Sequence, residues 1–245
     1  MVIMETKMKD LHCHIMYGVD DGCKTKEEAM EMLKKLEKKG TTDIILTPHY
    51  IEETNYVANN QKKIKLYNEI YYEAKKQKIN INIYLGNEVM VNYNLLNQLQ
   101  DEILTLNGSK YLLIESPMEK EYPDLDIIVK ELIDNGIIPI IAHPERYSFV
   151  KKDYKWVIPY IEMGVLFQGD YESLFGKYGN NANKTLRKLL KKNFIHFLGS
   201  DMHHKESSLH TDEVKEILKK LIKDDDKIED ILNNNFDKVI KNKTI

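Results

Sequence analysis

The sequence predicts an α/β protein built on a parallel sheet, either doubly wound or closed into a barrel. Three observations lead there. Short apolar runs of β-type alternate with helical patterns from one end of the chain to the other. Seven such pairs follow one another without a Pro/Gly-rich linker, repeat or low-complexity block, so residues 1–245 read as one domain. The chemically conspicuous side chains fall just after the apolar runs, where parallel strands bring their ends to one face.

Taken in order, "KDLHCHI" is the first strand. The helix after it starts with Thr25 as N-cap and Glu28 completing a capping box. Ala29, Met30, Leu33 and Leu36 form its apolar face, and Gly40 stands where the chain leaves it. "DIILT" is the second strand, followed by a long polar helix over 61–78. "INIYLG" is the third, with a helix over 95–103, and "KYLLIE" the fourth, with a helix over 125–135 closed by Gly136. "IIPIIA" is the fifth, with a helix over 154–163 closed by Gly164. The sixth, "VLFQ", precedes a helix over 183–192, and the seventh, "FIHFLGS", precedes helices from about Thr211 onward. Within that last part "KDDDKIEDILNNN" reads as a solvated helix junction, and Tyr67, Tyr71 and Tyr72 follow helical spacing and are expected to pack on the sheet.

Composition narrows the function classes. Lys+Arg total 36 against Asp+Glu 39, a net charge of −3, so no basic excess points to nucleic acid. The longest apolar stretches, such as "GIIPIIA", are strand-sized, which argues against an integral membrane protein. Cys13 and Cys23 are too few for a disulfide framework, and "MVIMETKMKD" lacks the apolar core of a signal peptide. A soluble cytoplasmic protein is expected.

The chemistry collects at strand ends. "DLHCHIMYGVDDG" puts His12 and His14 near the end of the first strand, with Asp20 and Asp21 beyond. His49 follows the second strand, Glu88 the third, and Glu115 ends the fourth. His143 ends the fifth, with Arg146 three residues on; Asp170 follows the sixth; Asp201 and His203 follow the seventh. Residues two apart on a strand share a face, so His12 and His14 pair and Cys13 turns away as a buried filler. The same parity pairs Asp201 with His203 if extended geometry persists that far. Cys23 reads as an ordinary free thiol, and His196, flanked by Ile195 and Phe197, as a core residue. His204 and His210 read as rim or supporting groups, and Asp170 as a mouth-lining or supporting carboxylate without a metal.

Imidazole and carboxylate donors without thiolate suit manganese, iron, zinc or cobalt better than calcium. Such clusters serve metal-assisted hydrolysis, and Arg146 is placed to fork onto phosphate oxygens.

"DLHCHIMYGVDDG", "TPHY", "GNEV", "IES", "AHPERY" and "GSDMHH", in this order, resemble the polymerase and histidinol phosphatase (PHP) superfamily. Within it, "HPERY", "FGK" at Phe175–Lys177 and "GSDMHH" are similar to the bacterial protein-tyrosine phosphatases of the CpsB/CapC/YwqE type. The resemblance runs over nearly the whole chain. It implies a distorted (β/α)7 barrel with a centre of three divalent ions, manganese first, with Fe, Zn, Co or Mg as alternatives. It carries the ligand roles onto His12, His14, Asp21, His49, Glu88, Glu115, His143, Asp201 and His203, with Glu88 and Glu115 bridging. Alignment of "VDDG" selects Asp21 over Asp20, a choice that spacing alone leaves open.

The implied reaction is hydrolysis of phosphotyrosine by metal-bound hydroxide, with Arg146 on the phosphate and Asp201 or a metal-bound water as candidate proton donor. The implied substrate is the tail of a cognate bacterial tyrosine autokinase controlling capsule or exopolysaccharide synthesis, and some relatives form homo-oligomers. Departures touch the rim: Tyr50 replaces a basic or imidazole residue, and "IESPMEKEYP" and "QGDY" depart from the usual wording. The alternatives are a small-molecule phosphoesterase acting on an ester such as histidinol phosphate, a PHP-type nuclease, and a degenerate metal-binding scaffold.

Overall fold

In the computed structural model, which describes residues 7–99 and 101–245, the apolar runs become nine short strands. They are β1 (Met8–Cys13), β2 (Thr41–Leu46), β3 (His49–Tyr50), β4 (Asn82–Leu85), β5 (Glu88–Met90), β6 (Tyr111–Glu115), β7 (Ile138–Ala142), β8 (Leu166–Asp170) and β9 (Phe197–Gly199). Every pairing is parallel. One ladder runs β1-β2-β4 and the other β3-β5-β6-β7-β8-β9.

The nine strands occupy seven positions. β2 and β3 are halves of one strand broken at Thr47 and Pro48, where proline has no N–H for a ladder. β4 and β5 are broken alike at Gly86 and Asn87. Bonds from Thr47 N–H to the Cys13 carbonyl (3.0 Å) and from Glu88 N–H to the Pro48 carbonyl (3.2 Å) carry the pairing across the breaks. The last strand returns to the first through single bonds: Asp201 N–H to the His12 carbonyl (3.0 Å) and His14 N–H to the Met202 carbonyl (2.9 Å). The result is a distorted (β/α)7 barrel joined by these bonds instead of a continuous ladder.

The helices are α1 (Lys26–Lys38), α2 (Asn60–Lys76), α3 (Leu95–Gln98), α4 (Leu125–Asp134), α5 (Ser148–Lys152), α6 (Val157–Glu162), α7 (Gly179–Lys191), α8 (Thr211–Ile222), α9 (Asp225–Glu229) and α10 (Asn235–Ile240). Thr25 caps α1, its hydroxyl accepting Glu28 N–H at 3.2 Å, while the Glu28 carboxylate takes Lys24 N–H at 2.8 Å. Gly40 follows at φ 82°, the left-handed turn that ends the helix. Strand period two divides the core: Leu112 and Ile114 face one cluster, Tyr111 and Leu113 the other. Phe236 and Val239 of α10 join the second cluster, and Lys9 pairs with Asp237, so the C-terminal segment covers the strand beginnings. The strand endings are left to the site.

Several elements depart from expectation for local reasons. β9 starts late because the His196 ring, not a main-chain carbonyl, accepts Phe167 N–H (3.1 Å). The helix expected over 154–163 opens as a 3₁₀ turn, Tyr154–Trp156, before α6, and α5 forms ahead of it. α3 stops at Gln98, whose carbonyl then receives the N–H groups of Glu102 and Ile103. Tyr67 is partly buried with its hydroxyl on the Ile83 carbonyl (2.9 Å), but Tyr72 is 69% exposed, a third of a turn past Tyr71 and facing away from the sheet. The acidic stretch after α8 is more than a junction: Ile228, Ile231 and Leu232 are buried in the core. Among the described residues no helix is long and apolar enough to cross a membrane.

Candidate metal centre

His12 and His14 leave the end of β1 on one side, as strand parity requires, and their Nε2 atoms stand 3.1 Å apart. Each ring is fixed by its other nitrogen. His12 Nδ1–H donates to Gln168 Oε1 (2.8 Å) from β8, and His14 Nδ1–H donates to Asp20 Oδ2 (2.9 Å). Asp20 also accepts His49 N–H (3.0 Å) and Gly22 N–H (2.9 Å), so it organises the loop from within. The loop returns so tightly that a Cβ on Gly22 would lie 2.1 Å from the His14 carbonyl oxygen. Asp21, next door, is half-exposed, and its Oδ1 lies 3.4 Å from His203 Nε2 and 3.6 Å from His49 Nε2. The adjacent aspartates thus divide the work: one braces and one faces the imidazoles.

Three overlapping groups of candidate ligands result. They are His12, His14, Glu88 and Asp201; His14, Asp21, His49 and His203; and His49, Glu88 and Glu115, with ligand atoms within 4.8 Å of one another in each. His143 abuts the third, its Nε2 lying 2.9 Å from Glu88 Oε1 and 3.8 Å from Glu115 Oε2. All nine residues expected from the sequence therefore meet at one mouth.

His143 and Asp201 turn inward through left-handed backbone, at φ 33° and 46°, which costs a non-glycine residue about 1 kcal/mol or more. Asp201 and His203 consequently do not pair by strand parity, since β9 ends at Gly199. His203 instead bonds back to the Asp201 carbonyl (3.0 Å) and stacks on His14, with ring centroids 3.9 Å apart. A Cβ on Gly199 would lie 2.9 Å from His12 Cβ, so only glycine lets β9 pass this close to β1.

The residues fit cations. Glu88 Oε2, Glu115 Oε1, Asp201 Oδ1, His49 Nδ1 and His143 Nδ1 are buried with no hydrogen-bond partner among the described residues. His49 Nδ1 lies 3.1 Å from both Glu88 Oε2 and Glu115 Oε1 without hydrogen-bond geometry to either. Leaving such groups unmatched costs roughly 1–3 kcal/mol each, more for charged oxygens, and a shared cation relieves several at once. The electrostatics agree. Burial opposes charge on His49, yet Glu88 and Glu115 push its imidazole up to about 10. Burial likewise opposes charge on Glu88 and Asp201, yet the facing histidines hold both carboxyls far below the usual range.

Arg146 ends the 3₁₀ turn Pro144–Arg146 beside this mouth. Its guanidinium binds the Asp201 carboxylate and lies 4.3 Å from the centre of the Tyr178 ring. Behind it, Glu145 accepts the Ser173 hydroxyl (2.8 Å) and Asp170 N–H (3.0 Å). Asp170 belongs to none of the three groups, and burial together with nearby Asp201 pushes its carboxyl up to about 8. His204 is exposed, whereas His210 donates its N–H (2.9 Å) to Glu172 and stacks on Phe175. Tyr50 turns away, its hydroxyl on Glu102. Cys13 donates to the Ile45 carbonyl and Cys23 to the Ile15 carbonyl, both buried, and burial pushes the Cys23 thiol up to about 12. Sequence reasoning put "QGDY" at the rim, whereas its Gln168 bonds the His12 imidazole, and it did not single out Tyr178. Gln168 ends the apolar run of its strand, a placement that carries the same signal as the histidines. Tyr178 follows a glycine turn, with nothing local to mark it.

Imidazoles and carboxylates gathered at the C-terminal mouth of a parallel barrel define the class of barrel proteins with a histidine–carboxylate metal centre. The chain belongs to the CpsB/CapC family of capsular polysaccharide synthesis, whose model matches residues 8–241. It is 36% identical over 197 residues to CapC of Staphylococcus aureus, covering 80% of this chain and 77% of that one. To the tyrosine-protein phosphatase YwqE of Bacillus subtilis it is 29% identical over 242 residues, 97% of this chain and 93% of the relative. It also superposes with a TM-score of 0.89, at 28% identity and over 97% and 96% of the two chains, on a solved metal-dependent tyrosine phosphatase. That structure comes from work on YwqE of Bacillus subtilis and CpsB of Streptococcus pneumoniae.

Proposed function

We propose that this protein is a metal-dependent protein-tyrosine phosphatase acting on phosphotyrosine in a bacterial tyrosine kinase linked to capsule or exopolysaccharide synthesis. The reading draws on the relatives' activities and on one observation above all: buried, unpartnered ligand atoms shared among three overlapping groups. Three groups suggest three divalent ions, with manganese the first choice for an imidazole–carboxylate set. His12, His14, Asp21, His49, Glu88, Glu115, His143, Asp201 and His203 would hold them. Glu88, common to two groups, is placed to bridge, and Glu115 stands between His49 and His143 to do the same.

Bound there, the ions would lower the pKa of an attacking water and neutralise charge on the phosphoryl oxygens. The chain's own residues do the positioning. Gln168 and Asp20 aim the two imidazoles, and Arg146, held over the mouth by Asp201 and Tyr178, offers a planar fork to the phosphate. Phenolate, with a solution pKa of about 10, needs limited proton assistance to leave.

The test is turnover of a tyrosine-phosphorylated peptide against a serine-phosphorylated one, with and without Mn²⁺, on the wild type and on His12→Ala/His14→Ala. Turnover of the phosphotyrosine peptide alone, lost with chelator and in the variant, is the expected result. A double variant as active as the wild type would overturn the assignment.

A further inference from the structure

Between α5 and α7, the helices that follow Arg146 and Tyr178 in the chain, lies a groove of about 270 Å³. Lys151, Lys152, Tyr154, Lys184 and Lys188 line it, with Lys188 Nζ 3.8 Å from the centre of the Tyr154 ring. Lys177 leads into this region from the catalytic side: its Nζ lies 4.8 Å from the Tyr178 ring that also covers Arg146. Lys184 and Lys188 are exposed one turn apart on α7, and Lys177 is exposed in the turn that precedes the helix. A cationic line therefore runs from the phosphate-facing arginine out along α7.

Among the described residues this charge meets rings and a longer-range carboxylate, Asp170 toward Lys177, instead of close ion pairs. What sets the groove apart is the gathering of five lysines, Lys151, Lys152, Lys177, Lys184 and Lys188, none with a carboxylate within 4.0 Å among the described residues. The imbalance occurs in a protein whose net charge is −3. Clustered like charges left without partners are destabilising, and an external anionic chain relieves them.

Resting on the phosphatase reading, we propose that the α5–α7 groove docks an acidic segment of the substrate polypeptide flanking its phosphotyrosine. Reach sets the length. From Gly179 to Lys188 the helix rises about 14 Å, at 1.5 Å per residue. An extended peptide, at about 3.3 Å per residue, covers that span in about four residues. The preference for Asp or Glu therefore covers a run of about four positions, on one side of the phosphotyrosine.

The experiment compares kcat/KM for phosphotyrosine peptides with acidic, neutral or lysine flanks, placed before or after the phosphotyrosine, using the Mn²⁺-loaded protein. p-Nitrophenyl phosphate, too small to reach α7, reports on the centre alone. The acidic flank on one side raises kcat/KM about tenfold over the neutral one, through KM, and the advantage fades with added salt. In Lys184→Glu/Lys188→Glu the ratio of acidic-peptide to p-nitrophenyl phosphate kcat/KM falls about tenfold, and Lys184→Arg/Lys188→Arg keeps it. Equal turnover of acidic and neutral peptides by the wild type overturns the proposal, as does a preference that survives charge reversal. Sedimentation with phosphatidylglycerol vesicles, lost on charge reversal and unaccompanied by any peptide preference, makes the groove a membrane contact and also overturns it. Loss of the phosphatase reading shows separately, as absent turnover of every phosphate ester. Binding of an unphosphorylated acidic peptide, followed by fluorescence anisotropy and abolished by charge reversal, then decides the groove by itself.

Discussion

Asp20 and His14 form a bonded pair at 2.9 Å that decides which nitrogen of the imidazole faces the centre. A carboxylate accepts only, so His14 Nδ1 carries a proton, and Nε2 is the nitrogen aimed at His12, Glu88 and Asp201. The same carboxylate holds the main chain of His49 and Gly22, so one buried side chain aligns two imidazoles and a loop.

Asp20→Ala should therefore weaken ion binding although Asp20 is not among the nine proposed ligands. Partners of this kind are worth about 10–100-fold in metal affinity. Calorimetric titration of the metal-free protein with Mn²⁺ checks it, and an unchanged affinity removes Asp20 from its bracing role.

Arg146 binds the Asp201 carboxylate and lies over the Tyr178 ring. Lysine at this position would keep the charge and lose the fork and the stack. Arg146→Lys should lower kcat/KM for a phosphotyrosine peptide on the order of 100-fold, an effect of the size seen when one transition-state donor is removed. Steady-state kinetics at saturating Mn²⁺ measure it; near-wild-type turnover would mean that Arg146 serves only to anchor Asp201.

Removing the ions should cost stability as well as activity. The carboxylate oxygens of Glu88, Glu115 and Asp201 would again be buried without partners. Anything that binds the folded state alone adds RT ln(1 + [L]/Kd), about 2.7 kcal/mol at a hundredfold excess over Kd. Calorimetry with EDTA and then with Mn²⁺ restored should show the melting temperature fall and recover. A midpoint indifferent to both would separate the cluster from cation binding.

His196 offers a pH test away from the centre. Burial pushes its imidazole down to about 4, and the neutral ring accepts Phe167 N–H. The unfolded chain takes up this proton first, near pH 6.5. The contribution is therefore complete above pH 6.5, declines as pH falls toward 4, and is flat below. The loss amounts to roughly 3 kcal/mol at most. His196→Asn keeps an acceptor without the titration, so denaturant unfolding should give it a shallower decline across that window than the wild type.

Much of this arrangement was legible because it rests on periodicity. Alternation in "DLHCH" already sets His12 and His14 together and Cys13 apart, and Thr25, Glu28 and Gly40 mark out α1. Where long-range contacts decide, the reading stops. Thr47–Pro48 and Gly86–Asn87 split two strands that look continuous in sequence, and the ring of His196 displaces the start of β9. Gln168 and Tyr178 matter through partners 156 and 32 residues away in sequence, His12 and Arg146. No window of local sequence holds both members of such a pair. The left-handed turn at Asp201 is of the same kind, since it follows from the bond between its N–H and the His12 carbonyl.

That bond ties the end of the last strand to the first strand at the place where His12, His14, Glu88 and Asp201 converge. While the chain is still emerging from a ribosome, the first three of these are already made and the fourth is not. A product cut short before Asp201 would lack a member of that proposed ligand group, so full ion binding is expected only of chains whose synthesis has run past their final strand.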